Sequence, residues 1–277
     1  MTEPTDRVAA LFDRVADTYD AVGVDWFTPI AAGLVHELAP APGEHALDVG
    51  CGRGAATVPL AEGVGPDGRV LGIDLAPRMV SATTADLAHL PQVELRVADA
   101  RSPALPPASF DVVAASLVLF FLPRPATALR AWREVLVPGG RLGIATFGPT
   151  GHLLATVDEL FVPHLPPAML DARTSGRRGP FASDAGVEAL FAEAGLTDVR
   201  TVHLALRTVL TGPEQWREFS WSHGQRGMWE AVPPEHHAAL LADALELLQT
   251  AREPDGTVVL HQDVRYTLGG VQPGGGR

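Results

Sequence analysis

The sequence predicts an α/β fold: a doubly wound sheet of seven strands, mostly parallel with the last strand antiparallel, that carries a helical lid and cap. Five short apolar runs between residues 46 and 147 are bounded by turn residues, as expected of buried parallel strands connected by helices. Two further strand-like runs lie at about 198–206 and 256–268. A long helical stretch separates them, and the second alternates as an antiparallel closing strand would.

The first strand ends in a turn with glycines on alternate positions. Residues 46–49 are apolar except for Asp48, and Gly50, Gly52 and Gly54 follow. Such glycines let the backbone adopt positive φ and pass close to a ligand. A dinucleotide-binding turn has the spacing G-x-G-x-x-G, whereas this turn reads G-x-G-x-G. Because a carboxylate two residues before the turn would repel a pyrophosphate, the pattern favours a positively charged ligand such as an ammonium or a sulfonium.

The second strand delivers another carboxylate to the same edge of the sheet. Residues 70–74 form an apolar run that ends in Asp74, which we expect to bind a ribose diol where the strand order reverses. Residues 93–97 and 110–116 form the third and fourth runs. An amphipathic helix and a Val-Pro-Gly-Gly turn then lead to the fifth strand, predicted over 141–147.

These motifs occur in an order that is shared with one enzyme family. The runs ALDVGCGRG, LGID, VADA, SFDVV and LVPGGRL resemble class I S-adenosylmethionine-dependent methyltransferases, including small-molecule enzymes of bacterial specialised metabolism. The amino-terminal FDRVADTYD resembles the ubiquinone and menaquinone branch, and the resemblance covers about residues 8–150 closely. It implies a Rossmann-like sheet and S-adenosylmethionine (SAM) as the cofactor, with S-adenosylhomocysteine (SAH) as the product.

The resemblance also implies roles for single positions. Gly50 and Gly52 would lie under the methionine part of the cofactor, and Asp74 would bind the ribose hydroxyls. Asp99 and Ala100 would lie at the adenine edge, and Tyr19 would lie over the cofactor. The complete set predicted to bind the cofactor is Tyr19, Asp48, Gly50, Cys51, Gly52, Asp74, Leu75, Met79, Asp99, Ala100 and Ser116.

Composition excludes several other classes of function. The net charge is −12, the pI is about 5.2 and lysine is absent, which argues against nucleic-acid binding. The densest basic group, Arg173, Arg177 and Arg178, is expected to be solvated. No apolar run reaches the roughly 20 residues of a membrane helix, so membrane insertion is not predicted. A polar start and a single cysteine, Cys51, predict a cytoplasmic protein without an internal disulfide.

The chain is predicted to have a core that is interrupted by inserts. A helix over 6–20 would lie across the cofactor mouth as a lid, or its aromatic residues would only hold it on the sheet. The predicted segments are the lid at 1–45, the cofactor-binding core at 46–150, an insert at 151–182, the continued core at 183–210, a helical cap at 211–255, the closing strand at 256–268 and a disordered tail at 269–277.

The lid and cap are expected to determine which substrate is bound, because the core binds the same cofactor in every family member. Aromatic rings beside polar groups commonly line small-molecule pockets. The predicted substrate contacts are therefore Trp26, His152, Trp221 and Arg226. The alternative is that the cap helix only packs its aromatic residues on the sheet.

A general base is not evident in the expected loop. Many similar small-molecule O-methyltransferases carry a histidine pair after the fourth strand, whereas positions 119–122 read LFFL here. The base would come from the cap, with His223 the first candidate and His152 the second, or the acceptor is a nitrogen or carbon that needs little deprotonation. The adjacent His236 and His237 lack a third ligand at a recognisable spacing, so no metal site is predicted.

The sequence thus predicts a monomeric or homodimeric enzyme that transfers a methyl group from SAM to a hydrophobic, aromatic small molecule. The accepting atom is an oxygen, nitrogen or carbon. One alternative is a quinone-biosynthesis C-methyltransferase, which the amino-terminal motif favours and the large cap disfavours. Another is a SAM-binding scaffold or non-methylating catalyst on the same fold. A nicotinamide reductase is disfavoured by the glycine spacing and by Asp48.

Overall fold

A computed structural model describes residues 4–167, 169 and 179–273. Within these residues the chain forms a seven-stranded sheet in the order β3-β2-β1-β4-β5-β7-β6. The strands are β1 His45–Val49, β2 Arg69–Asp74, β3 Val93–Val97, β4 Phe110–Ser116, β5 Leu136–Thr150, β6 Thr197–Leu210 and β7 Val258–Gly270. Strand β7 is antiparallel to both of its neighbours, and the first five strands pair in parallel. The predicted fold class is confirmed.

Helices cover both faces of the sheet. They are α1 Pro4–Val15, α2 Phe27–Leu38, α3 Thr57–Val64, α4 Pro77–Asp86, α5 Pro125–Glu134, α6 His152–Glu159, α7 Asp184–Glu193, α8 Gln215–Ser222, α9 Arg226–Ala231 and α10 His237–Thr250. One core cluster contains buried residues of α2, α3 and α10, and the other contains those of α5 and α7. Ala46 faces the first cluster and Leu47 the second, as strand alternation requires.

Strand β1 is the centre of the cofactor half. Leu47 pairs with Leu71 on β2 and with Val113 on β4, so β1 has a parallel neighbour on each side. The chain runs from β1 outward to β2 and β3, and then returns to β4 on the other side of β1. The strand order therefore reverses at β1 and β4, and ligands of open α/β sheets bind beyond the carboxyl ends of the strands at such a point.

Helix α1 connects the core to the cap. Val15 and the following Ala16 pack on Ala76 and Met79, which lie at and near the start of α4. On the opposite side, the Arg14 guanidinium lies 2.6 Å from the Glu230 carboxylate on α9. The front helix therefore contacts the elements on both sides of the cleft mouth.

The predicted helical cap contains three helices, α8, α9 and α10. Three strands extend further than the sequence predicted. Strand β5 runs from Leu136 to Thr150, beyond the predicted 141–147 at both ends. Strand β6 continues to Leu210, and β7 includes Gly269 and Gly270, which were assigned to the tail. Gly269 pairs with Leu142, and a Cβ on it would lie 2.9 Å from the ring of Phe191. The first two residues of the predicted glycine-rich tail are therefore a packed part of β7.

Some predictions fall where the structure gives no description. The end of the predicted tail, 274–277, and the basic group Arg173, Arg177 and Arg178 lie outside the described residues. The helix predicted over 6–20 ends at Val15, and the next five residues form turns. In the described part of the chain, no helix has the length and apolar character that crossing a membrane requires.

Candidate active site

The glycine turn after β1 forms the floor of a cleft of about 110 Å³. Gly50 and Gly52 line it with φ angles of 70° and 48°, in the left-handed region that favours glycine. The backbone N–H groups of Gly50 and Cys51 both donate to the Ile73 carbonyl, at 2.7 and 3.0 Å, which ties the turn to β2. A Cβ on Gly52 would meet no atom within 4 Å. The turn therefore presents open backbone to a ligand.

Asp74 is held at the edge of this cleft by the backbone. The Gly52 N–H donates to one carboxylate oxygen at 2.9 Å, and the Ala76 N–H donates to the other at 2.8 Å. Burial raises the pKa of Asp74, and these two backbone hydrogen bonds oppose that shift. Each carboxylate oxygen has a second lone pair, so the fixed side chain can accept hydrogen bonds from the two hydroxyls of a diol.

The far end of the cleft is formed by the segment after β3. The Arg101 guanidinium binds both Asp99 oxygens, which lowers the pKa of Asp99. The Ala100 carbonyl accepts a hydrogen bond from the Trp132 indole at 2.7 Å. The predicted cofactor residues that line the cleft are Tyr19, Gly50, Gly52, Asp74, Leu75, Met79, Asp99, Ala100 and Ser116.

Two residues predicted to contact the cofactor lie beneath the cleft instead. Strand alternation turns Asp48 toward the start of α3, where its oxygen accepts a 2.6 Å hydrogen bond from the Thr57 hydroxyl. Its side chain is 1% exposed. Cys51 is also buried, and its Cβ would lie 3.1 Å from a Cβ placed on Gly72. Neither side chain lines the cleft, so both support the glycine turn from beneath.

Asp48 should make stability depend on pH. Burial raises the pKa of Asp48 to about 7, whereas an unfolded aspartate titrates near ~3.9. The folded protein binds more protons between these values, so the free energy of unfolding should fall as the pH rises from about 4 to 7. Asp48→Asn keeps an acceptor for Thr57 and removes this titration. Thermal melts without cofactor should show a higher melting temperature for the variant at pH 8, and this difference should shrink toward zero as the pH falls to about 4 and below, where the unfolded aspartate is also protonated. A difference in melting temperature between the two proteins that stays the same at every pH would contradict the burial of a titrating carboxyl.

A second cavity, of about 230 Å³, adjoins the cofactor cleft. Phe12, Tyr19, Leu117 and Phe121 line both spaces. The aromatic residues of the larger cavity are Phe12, Tyr19, Trp26, Phe27, Phe120, Phe121, Phe147 and Phe219. The Tyr19 ring stacks on Phe27 with the ring centroids 4.5 Å apart, and burial raises the pKa of the Tyr19 phenol well above its ordinary value. Tyr19 is therefore a neutral aromatic residue at the junction of the two spaces.

A few polar side chains also line the larger cavity. The Gln225 side-chain amide donates to Asp158 at 2.7 Å. The Gln225 backbone N–H donates to Nδ1 of His223 at 3.3 Å. Because Nδ1 accepts, the proton of the neutral imidazole is on Nε2. His223 therefore lies in the cavity wall, and its Nδ1 atom is occupied by the Gln225 N–H.

Three of the predicted substrate contacts do not line this cavity. Phe219 on α8 and His223, which directly follows the end of that helix, both line the cavity, whereas Trp221 lies between them in the sequence and does not. Trp221 stacks on Trp229, and Arg226 lies over Trp221 and pairs with Glu230. His152 is exposed at the start of α6. Of the four residues predicted to contact the substrate, Trp26 lines the cavity.

Sequence reasoning missed most of the cavity wall. Phe120 and Phe147 stack with their ring centroids 5.7 Å apart, and Phe219 packs on Trp26 at 5.5 Å. The sequence signal for Phe120 was the pair of phenylalanines in the LFFL run at 119–122. That run was interpreted only as lacking the histidine pair of similar enzymes. Within residues 4–167, 169 and 179–273, no three histidine, cysteine or acidic side chains group as metal ligands would.

Comparisons with known proteins agree with the motifs. Residues 47–144 match the family described as a methyltransferase domain. Nocamycin O-methyltransferase of Saccharothrix syringae is 38% identical over 280 residues, which cover 96% of this chain and 99% of that protein. Aklanonic acid methyltransferase of Streptomyces sp. (strain C5) is 38% identical over 60% of this chain and 76% of that protein.

Solved structures share the fold at low sequence identity. Phosphoethanolamine N-methyltransferase 2 of Haemonchus contortus, in complex with phosphomonomethylethanolamine and SAH, aligns with a TM-score of 0.54 and 16% identity. The alignment covers 88% of this chain and 52% of that one. With one relative similar over nearly its whole length and five motifs in family order, the chain belongs to the class I S-adenosylmethionine-dependent methyltransferases.

Proposed function

We propose that this enzyme methylates an oxygen atom of a flat, hydrophobic, aromatic small molecule of specialised metabolism. The observation that carries the proposal is the cavity of about 230 Å³ with its eight aromatic residues, which shares part of its wall with the cofactor cleft. Aromatic side chains favour stacked and edge-on contacts with aromatic ligands. The choice of oxygen is supported by the nocamycin relative, whose name states O-methylation.

The cofactor cleft has the groups that SAM requires. Bound SAM supplies a methyl group that is already activated by a sulfonium, so the protein mainly aligns the reactants and excludes water. In our proposal the Asp74 carboxylate binds the ribose hydroxyls, and the backbone of Gly50 and Gly52 lies under the methionine part. Tyr19 and Phe121 separate the two spaces and orient the acceptor toward the methyl group.

The cavity favours an acceptor oxygen that ionises easily. The Gln225 N–H occupies Nδ1 of His223, and the Tyr19 phenol stays neutral, so neither of these atoms is placed to take a proton from the acceptor. A donor beside the acceptor would instead stabilise an oxygen that is already anionic. We therefore propose that His223, which the sequence suggested as the base, positions the acceptor instead.

The remaining proposals concern organisation and location. We retain the segments 1–45 and 211–255 as lid and cap, which is supported by the packing of α1 on α4 and by the ion pair between Arg14 and Glu230. A reducing, cytoplasmic location is supported by the single buried thiol of Cys51.

Methylation of 1,3-dihydroxynaphthalene would test the function. With SAM present, we expect SAH and an O-methylated naphthol by mass spectrometry. Phe120→Ala should weaken binding of the naphthol about tenfold, because an aromatic contact and its buried area are lost, and should leave SAH affinity unchanged. Trp221→Ala is the matched control, since this ring lies outside the cavity wall. A carbon-methylated product would favour the quinone-type alternative, and equal effects of both variants would argue against this cavity.

A further inference from the structure

Gln262 interrupts an otherwise apolar face of β7. Leu260 and Val264, two residues to either side, belong to the main core, and strand alternation places Gln262 on the same face. Its side chain is 3% exposed and lines the larger cavity. Burying an amide is costly unless its polar atoms form hydrogen bonds. A glutamine at this position therefore needs partners.

The amide nitrogen of Gln262 finds its partners in the backbone. It donates to the carbonyls of Asp263 at 2.8 Å, Gly148 at 3.2 Å and Pro149 at 3.5 Å. The last two carbonyls lie where the pairing of β5 with β7 shifts register, between Phe147 and Thr150. Carbonyls only accept, so these contacts identify which side-chain atom is nitrogen and which is oxygen.

The side-chain oxygen of Gln262 is then the polar atom left for the cavity. No residue in the described part of the chain donates a hydrogen bond to this oxygen. Gln225 has a similar arrangement, because its amide nitrogen donates to Asp158. The aromatic wall beside Gln262 includes Phe147, which precedes the shifted segment of β5. A fixed acceptor thus lies in a wall that is otherwise largely apolar.

We propose that Gln262 is a specificity-determining residue that accepts a hydrogen bond from a hydroxyl or N–H group on the ring system of the acceptor molecule. This inference rests on the proposed function, because it requires the aromatic substrate to occupy the larger cavity. A substrate without such a donor would leave the Gln262 oxygen desolvated and unpaired. Sites built to pair with a polar group discriminate strongly against analogues that lack it.

Calorimetry with two naphthols in the presence of SAH tests this role of Gln262 directly. The wild-type protein should bind 1,3-dihydroxynaphthalene about tenfold more tightly than 1-naphthol, because only the diol has a second donor. Hydrophobic partition alone would favour 1-naphthol, which is the more apolar of the two. Tighter binding of the diol would therefore indicate a hydrogen bond to its second hydroxyl. Gln262→Leu should abolish the preference and leave SAH affinity unchanged.

The control is Gln249→Leu, which removes an exposed glutamine on α10 and should keep the preference. Thermal melts of both variants check folding, and the wild-type comparison tests the inference even if Gln262→Leu is unstable. Equal binding of the two naphthols to the wild type, or a preference that survives in Gln262→Leu, would overturn the role of Gln262 alone. Binding of neither naphthol would overturn the aromatic cavity as the substrate site, and this inference with it.

Discussion

Asp74→Ala should weaken SAM binding by about a hundredfold or more. The carboxylate is placed to form two charge-assisted hydrogen bonds to a ribose diol, each worth about 1.5 to 3 kcal/mol, and tenfold in affinity corresponds to about 1.4 kcal/mol. The variant also leaves the N–H groups of Gly52 and Ala76 without their acceptor. Calorimetry with SAM and with SAH measures the loss.

Asp74→Asn and Asp86→Ala provide the controls for this result. The asparagine keeps one acceptor oxygen and should fall between the wild type and Asp74→Ala. Asp86 pairs with Arg53 near the surface and does not line the cleft, so its removal should leave affinity unchanged. The raised pKa of Asp74 adds a signature in pH: affinity should fall as the pH decreases in the wild type and stay flat in Asp74→Ala. An unchanged dissociation constant for Asp74→Ala would contradict the ribose assignment.

The cofactor half of the site could be located from the sequence because its residues follow the ends of strands. Once residues 46–49 and 70–74 are assigned to neighbouring parallel strands, the glycine turn and Asp74 must meet at one edge of the sheet. The direction of the Asp48 side chain was harder to predict. Its charge was interpreted as a ligand contact, whereas the alternation of β1 turns it toward Thr57 beneath the turn.

The substrate half could not be located in the same way. The richness of α8 in aromatic residues was evident, but the rotation of the helix decides which of them meet the cavity. Packing of Trp221 on Trp229 leaves Phe219 and His223 to the cavity wall. That contact joins residues of two different helices, and helical periodicity alone gives no information about it. The role of Gln262 likewise depends on a register shift in β5 that leaves no mark in the sequence of β7.

Gly50→Ala should reduce SAM affinity by about tenfold or more and also lower stability. A residue with a Cβ at φ 70° pays about 1 to 2 kcal/mol for the left-handed conformation. The new Cβ would also collide with the Val118 side chain, which itself lines the cofactor cleft. Val118 can make room only by moving, and the methionine part of SAM is proposed to lie against this same turn. Calorimetry with SAM and thermal melts separate the two effects.

Gly139→Ala separates backbone strain from the collision. Gly139 has φ 86°, and a Cβ there would meet no atom within 4 Å, so this variant carries the conformational cost alone. Both variants should lose a few degrees in melting temperature, since about 1 to 2 kcal/mol corresponds to that shift in a domain of this size. Only Gly50→Ala should lose cofactor affinity, and adding Val118→Ala to it should restore part of that loss. Wild-type affinity in Gly50→Ala would mean that SAM does not lie over the glycine turn, because no ligand seated there could tolerate the displaced valine.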